Sequence, residues 1–437
     1  MARHRNGLAS RPQFPSPLFP PTYRLIGACL AAGVLGAIAA LAFDGAVSLA
    51  ERLLLGGIGG YAPPRVGVLE PAAVLPEWDR RWLLPVVTTL GGLLSGLLVF
   101  TLAPEAEGHG TDAAVGAYHR HGGDVRTRIP FIKAIASALT IGSGGVAGRE
   151  GPTAHISVGL GAILSRVLGF RGQERRILLL ASMSAGLAAI FRAPLGMAIF
   201  AVEILYSGMV FESEALIYTV ISAVTAYALH GLVVGWSPIF AIPRGLTFDQ
   251  PAVLLGFVVL GILAGTGGAV LPRLFYGVRD FFRRLPGPPH LKPALGGLIV
   301  GLMGMAAPQI LGTGYGWVEL AMAGSLSLSA LLVILLLKGP AMALTIGSGG
   351  SGGVFAPTVT LGAVLGGAVG IVLQRLLPDL RFVPAAFVVV GMAALFAGAA
   401  RTPISTLIMV AEMTGGYGLI VPAMRTKILA FMVQRSL

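Results

Sequence analysis

Charge is scarce in this 437-residue chain. Only 11% of its residues are Asp, Glu, Lys or Arg, where soluble proteins carry about 25%. Cysteine occurs once, at Cys29, which excludes an intrachain disulfide and a cysteine-based metal site. So little charge over such a length excludes a soluble enzyme, a disordered chain and a disulfide scaffold. What is abundant points elsewhere: 55% of residues are hydrophobic and the mean hydropathy is +0.83. That much apolar surface needs lipid as its solvent, so the chain reads as an all-α polytopic membrane protein. Its 63 glycines and 29 prolines exceed what a bundle of straight spanning helices uses. The net charge of +12 suggests nucleic acid at first sight, but basic residues in a membrane protein mark cytoplasmic loops. No nucleic-acid partner is expected.

Residues 1–21 read as a basic cytoplasmic tail: Arg3, His4, Arg5 and Arg11 occur there with five prolines and no acid. The apolar run from Leu25 to Phe43 is long enough to span rather than to be a cleaved signal. Later apolar segments are often short and separated by glycine clusters instead of polar loops. Irregular backbone at membrane depth survives only where protein or a water-filled path surrounds it, as in transporters with broken helices.

An internal repeat organises the chain. KAIASALTIGSGGVAGREGPT at 133–153 matches KGPAMALTIGSGGSGGVFAPT at 338–358, an offset of 205. Gly108-His109-Gly110 pairs with Gly312-Thr313-Gly314, and Arg192-Ala-Pro…Glu203 pairs with Arg401-Thr-Pro…Glu412. These landmarks, in one order, define a first repeat of about 22–232, a linker of 233–249 and a second repeat of about 250–437. Parallel and inverted arrangements both satisfy this pattern; inversion is the commoner solution where a site forms between halves.

In each half the glycine run ends at a proline that opens an apolar helix, where its missing N–H costs nothing. The free amides of that turn and the positive end of the helix dipole suit an anion without a cationic side chain. Two such starts, at Arg149–Gly151 and Val354–Ala356, are related by the repeat. Glu150 stands at the first. A carboxylate inside a membrane domain is costly and points to function. At a helix start it acts as a tethered anion that competes with a free one, and protonation would release it. The plain structural alternative is an acid paired with Arg149.

These motifs resemble the CLC family of chloride channels and chloride/proton antiporters over nearly the whole chain. The likeness rests on GREGP at 148–152, GVFAP at 353–357, GHG at 108–110 and both R-x-P…E segments. It implies two inverted-topology repeats with broken, tilted helices, a homodimer with one pore per subunit, and cytoplasmic termini; the compact chain without a targeting signal points to a bacterial inner membrane. Chloride or a similar small anion, and potentially protons, are its ligands; no metal or cofactor is implied. It assigns Glu150 the role of external gate. The amides of Val354 and Phe355 would hold the central anion, and those around Arg149–Gly151 the outer one.

Three departures matter. The family's central serine falls at His109, which either coordinates the anion or turns away and leaves the amides of Gly108 and Gly110. The internal proton-transfer glutamate falls at Ile204, which carries no proton; Glu203 is adjacent but points about 100° away on a helix. A structural role for Glu203 is the stronger expectation, because Glu412 mirrors it. The tyrosine that closes the inner side would lie a few residues beyond Leu437, so either the chain stops short of its last helix, which is the favoured expectation, or its inner gate is open. An intramembrane enzyme would need a nucleophile with its base or a metal cluster, and no such set is spaced within the apolar segments. His119 and His121 read as solvated loop residues, and Glu105, Glu107 and Asp112 as lining an aqueous entrance or pairing with Lys133.

Overall fold

The computed structural model describes residues 23–67, 80–206, 213–240, 242–243, 246 and 251–437. The basic tail of residues 1–21 lies outside them. Among the described residues the chain is helical, with two isolated backbone bridges in place of any strand. The first half holds α1 (Tyr23–Ala50), α2 (Leu84–Leu102), α3 (Thr111–Arg120), α4 (Ile129–Gly142), α5 (Glu150–Val167), α6 (Gly172–Phe191), α7 (Pro194–Glu203) and α8 (Ser213–Val234). The second holds α9 (Leu254–Arg284), α10 (Lys292–Ala306), α11 (Tyr315–Met322), α12 (Leu328–Gly347), α13 (Phe355–Leu376), α14 (Pro384–Ala400), α15 (Pro403–Thr414) and α16 (Ile420–Ser436). Helices of equal rank match: each half begins with its longest helix, and the short α3 and α7 answer to α11 and α15.

Much of the proline excess sits in first helical turns. Prolines open α2, α4, α7, α10, α14 and α15, where no amide is lost. Glycine serves close packing. A Cβ on Gly362 would meet the Gly391 carbonyl and one on Gly391 the Gly362 carbonyl, so α13 and α14 touch backbone to backbone.

Apolar side chains also face outward. Leu30, Val34 and Ile38 line an exposed stripe on α1, and Leu90, Leu94 and Leu97 do so on α2. Among the described residues, six helices are long and apolar enough to cross a membrane. By contrast α7, with 10 residues, is about 15 Å long, half the hydrocarbon thickness. It must begin inside the protein, and its first amides need partners there.

The repeat supplies those partners by exchange. Glu412, on α15, accepts from the amides of Leu195 (3.1 Å) and Gly196 (2.8 Å) at the start of α7. Glu203, on α7, accepts from Ile404 and Ser405 (2.8 Å each) at the start of α15, and from the Ser405 hydroxyl. Each carboxylate thus caps the helix that bears the other. The helices just before them end alike, with Arg192 and Arg401 in left-handed conformations at φ 51° and 58°. These paired features carry a two-fold relation through the middle of the molecule.

Candidate functional site at the meeting of two glycine loops

The two GSGG runs cross at the centre. Gly148 and Gly353 form an antiparallel bridge, exchanging N–H···O bonds of 2.6 and 2.8 Å. Gly108 bridges to the loop around Ser351 in parallel, and the Val146 amide donates to Thr345 Oγ1 at 3.0 Å. A Cβ on Gly151 would overlap the His109 carbonyl, so only glycine allows that approach.

Two buried lysines clamp the flanking loops. Lys133 Nζ donates to the carbonyls of Ala106 (2.9 Å) and Gly108 (2.6 Å). Lys338 Nζ does the same to Ile310 (2.7 Å) and Gly312 (3.1 Å). An ammonium spends its donors on carbonyls here rather than on acids. Glu105, expected as one partner of Lys133, pairs instead with Arg126.

The crossing sets the starts of α5 and α13 together. Helix-closing bonds begin at Thr153 N→Arg149 O (3.0 Å) and Thr358 N→Val354 O (3.2 Å). Pro152 and Pro357 carry no amide, so the amides of Glu150, Gly151, Phe355 and Ala356 have no partner within their helices. Glu150 itself is buried. Its Oε1 accepts from the Tyr315 hydroxyl at 2.6 Å. Its Oε2 lies over Gly148, where a Cβ would strike the carboxylate and stand 2.9 Å from the Ala356 amide. The carboxylate therefore rests at the start of α13 as well as of its own helix.

Arg149 does not pair with Glu150, as the structural alternative required. Its guanidinium reaches Asp44 on α1. Arg149 and Glu150 line a cavity of about 780 Å3, together with Arg192, Tyr315 and Glu319. A second cavity, of about 360 Å3, is lined by His109, Gly151, Ile204, Val354 and Phe355. Gly110 adjoins it at φ 87°, with the Gly151 carbonyl close to where its Cβ would be. The Phe355 ring packs against Phe191 and Phe396, at 4.3 and 4.0 Å between centroids.

His109 turns one nitrogen to Asp112, with Nε2 to Oδ2 at 3.0 Å. Its Nδ1 is buried without a partner. Asp112 lies on the polar α3, which is no membrane span, and its hydrogen bond from His109 holds the carboxyl below the usual carboxylate range. Glu203 is remote from this cluster, in the cap described above, and lines neither cavity. His119 is not a solvated loop residue. It lies on α3, with Nε2 2.9 Å from the Leu205 carbonyl and its ring edge-on to Tyr206. Tyr315 is the residue that sequence reasoning passed over; its signal was its place directly after the Gly312-Thr313-Gly314 loop that repeats GHG.

Opposed helix starts, a buried acid on the wall of a cavity and broken helices in two inverted halves define a membrane transport fold. Residues 91–435 match the family model described as Voltage gated chloride channel, and the chain belongs to that family, the CLC proteins. It is accordingly an integral membrane protein. It is 32% identical over 401 residues to a putative chloride channel protein ClcB-like of Ralstonia nicotianae, spanning 90% of this chain and 89% of that protein. It is 31% identical to the H(+)/Cl(-) exchange transporter ClcA of Salmonella paratyphi B, spanning 90% and 82%. The structure of a slow cyanobacterial Cl-/H+ antiporter superposes with a TM-score of 0.83 at 24% identity, covering 96% of this chain and 95% of that one. That likeness shows the fold: two inverted repeats of broken, tilted helices.

Proposed function

We propose that this protein carries chloride or a similar small anion across a membrane in exchange for protons, with Glu150 as the gate. The observation that carries the reading is the seat of Glu150: a buried carboxylate at the start of α5, near the Ala356 amide of α13, lining the 780 Å3 cavity, which this reading makes the outer one and the 360 Å3 cavity the inner one. A carboxylate and a free anion ask the same thing of helix-start amides, so they compete for one place. An anion arriving from the inner cavity meets the Val354 and Phe355 amides, with His109 or Gly110 completing the cup. The outer position is that of the amides around Arg149–Gly151. Protonation removes the charge of Glu150, weakens its attraction to the helix starts and lets the side chain swing into the outer cavity. The proton then moves opposite to the anion.

Exchange is preferred because curated relatives at 31% identity are named H(+)/Cl(-) exchange transporters. Ile204, on the wall of the inner cavity, favours a second reading of uncoupled anion flow, since it offers no proton site from that face. Family membership supports a homodimer with one pathway per subunit, the basic residues of the first 21 positions support a cytoplasmic N-terminus, and the bacterial relatives support a bacterial inner membrane. Reconstituted vesicles with a chloride gradient test the reading. Exchange predicts uphill proton movement together with chloride flux; chloride flux without it selects uncoupled flow, and no flux above empty vesicles refutes both.

A further inference from the structure

The two loop clamps of the repeat are built alike, each around a lysine that bridges two carbonyls. They diverge at the next helix. Thr111 opens α3, whereas Tyr315 opens α11 and sends a phenol hydroxyl to Glu150 Oε1 at 2.6 Å. Anion binding at helix starts needs amides alone, so this hydroxyl has a separate task.

The phenol is held on several sides. Gly314, at φ 91°, lies so near Lys338 that a Cβ would crowd Nζ at 2.9 Å. Thr360 Oγ1, on α13, donates to the Thr313 carbonyl at 3.2 Å and ties the loop to the helix whose start receives the carboxylate. The Phe240 ring packs edge-on against Tyr315 at 5.2 Å. A hydroxyl fixed this way loses little freedom when it bonds.

We propose that Tyr315 is a positioning residue that latches the Glu150 carboxylate in its seat and so sets how readily an anion displaces it. The proposal deepens the gate reading and rests on it. To leave for the outer cavity, the carboxylate must break this bond. A buried hydrogen bond to a charged group shifts such an equilibrium by about ten-fold or more. Tyr315 lines the same cavity as Glu150, so the latch stands on the wall of the space that receives the freed side chain in this reading.

A double-mutant cycle tests it. Chloride efflux from vesicles at neutral pH and chloride binding by calorimetry would be measured for the natural protein, Tyr315→Phe, Glu150→Ala and the double variant. Phenylalanine keeps the ring and its contact with Phe240. Tyr315→Phe should raise efflux and chloride affinity by about ten-fold, and the change should vanish in the Glu150→Ala background, where no carboxylate remains to hold. A packing role would act equally in both backgrounds. If Tyr315→Phe matches the natural protein, or acts by the same factor without Glu150, the latch is overturned and the gate stands. If Glu150→Ala changes neither readout, the gate fails and the latch with it. Should Tyr315→Phe not fold, infrared difference spectra of the natural protein on chloride addition give a second reading. A tyrosine C–O band shift that is missing in Glu150→Ala supports the latch; no tyrosine band in either protein overturns it.

Discussion

Replacing Glu203 by glutamine separates a structural cap from a proton carrier. In the fold the Glu203 carboxylate accepts two amides at 2.8 Å from the start of α15 and the hydroxyl of Ser405. Glutamine keeps one acceptor oxygen, but its NH2 then faces a donor, and the negative charge at the helix start is gone. Hydrogen bonds to a charged group contribute about 1.5–3 kcal/mol, and a stranded buried donor costs about 1–3. Glu203→Gln should therefore destabilise the protein by about 2–4 kcal/mol. Glu412→Gln should cost about 1–2 kcal/mol, because its carboxylate accepts two amides and no hydroxyl, in a less buried place. Thermal unfolding of the detergent-purified proteins reads the ranking, and vesicle assays read chloride and proton flux per folded protein. Both variants should keep the natural ratio of protons to chloride. Unchanged stability in Glu203→Gln together with lost proton movement would refute the cap and make Glu203 a carrier.

Glu150→Gln should leave chloride flux in place and flatten its pH dependence, because the side chain then carries no charge to lose; a pH profile that follows the natural one would count against the gate. Lys338→Met should cost about 2–5 kcal/mol, since two buried carbonyls, of Ile310 and Gly312, lose their donor while the aliphatic stem is retained. Unfolding measurements check this, and a variant as stable as the natural protein would mean that water replaces the ammonium.

Hydropathy, the repeat and the helix starts were legible in the sequence because each is a local or periodic property. A low charge density excludes water as solvent wherever the residues end up. A proline after a glycine run marks a first helical turn from the covalent chemistry of two residue types. Two copies of LTIGSGG imply two equivalent environments before either is seen. Even the mirrored acids, Glu203 and Glu412, announced that they share one role.

Which role they share was decided only by the tertiary structure, and the reason is the same at each surprise. Glu203 meets the start of α15 about two hundred residues away, Arg149 leaves Glu150 for Asp44, and Tyr315 reaches Glu150 across the halves. A hydrogen bond needs its donor within about 3 Å and in line, and many polar groups in the chain could satisfy that chemistry. Only closure of the two halves on each other, with glycines letting the loops cross, selects one partner from among them. The sequence by itself determined a membrane protein of two like halves with an acid at an anion-binding helix start. The packing of those halves decided what holds that acid in place.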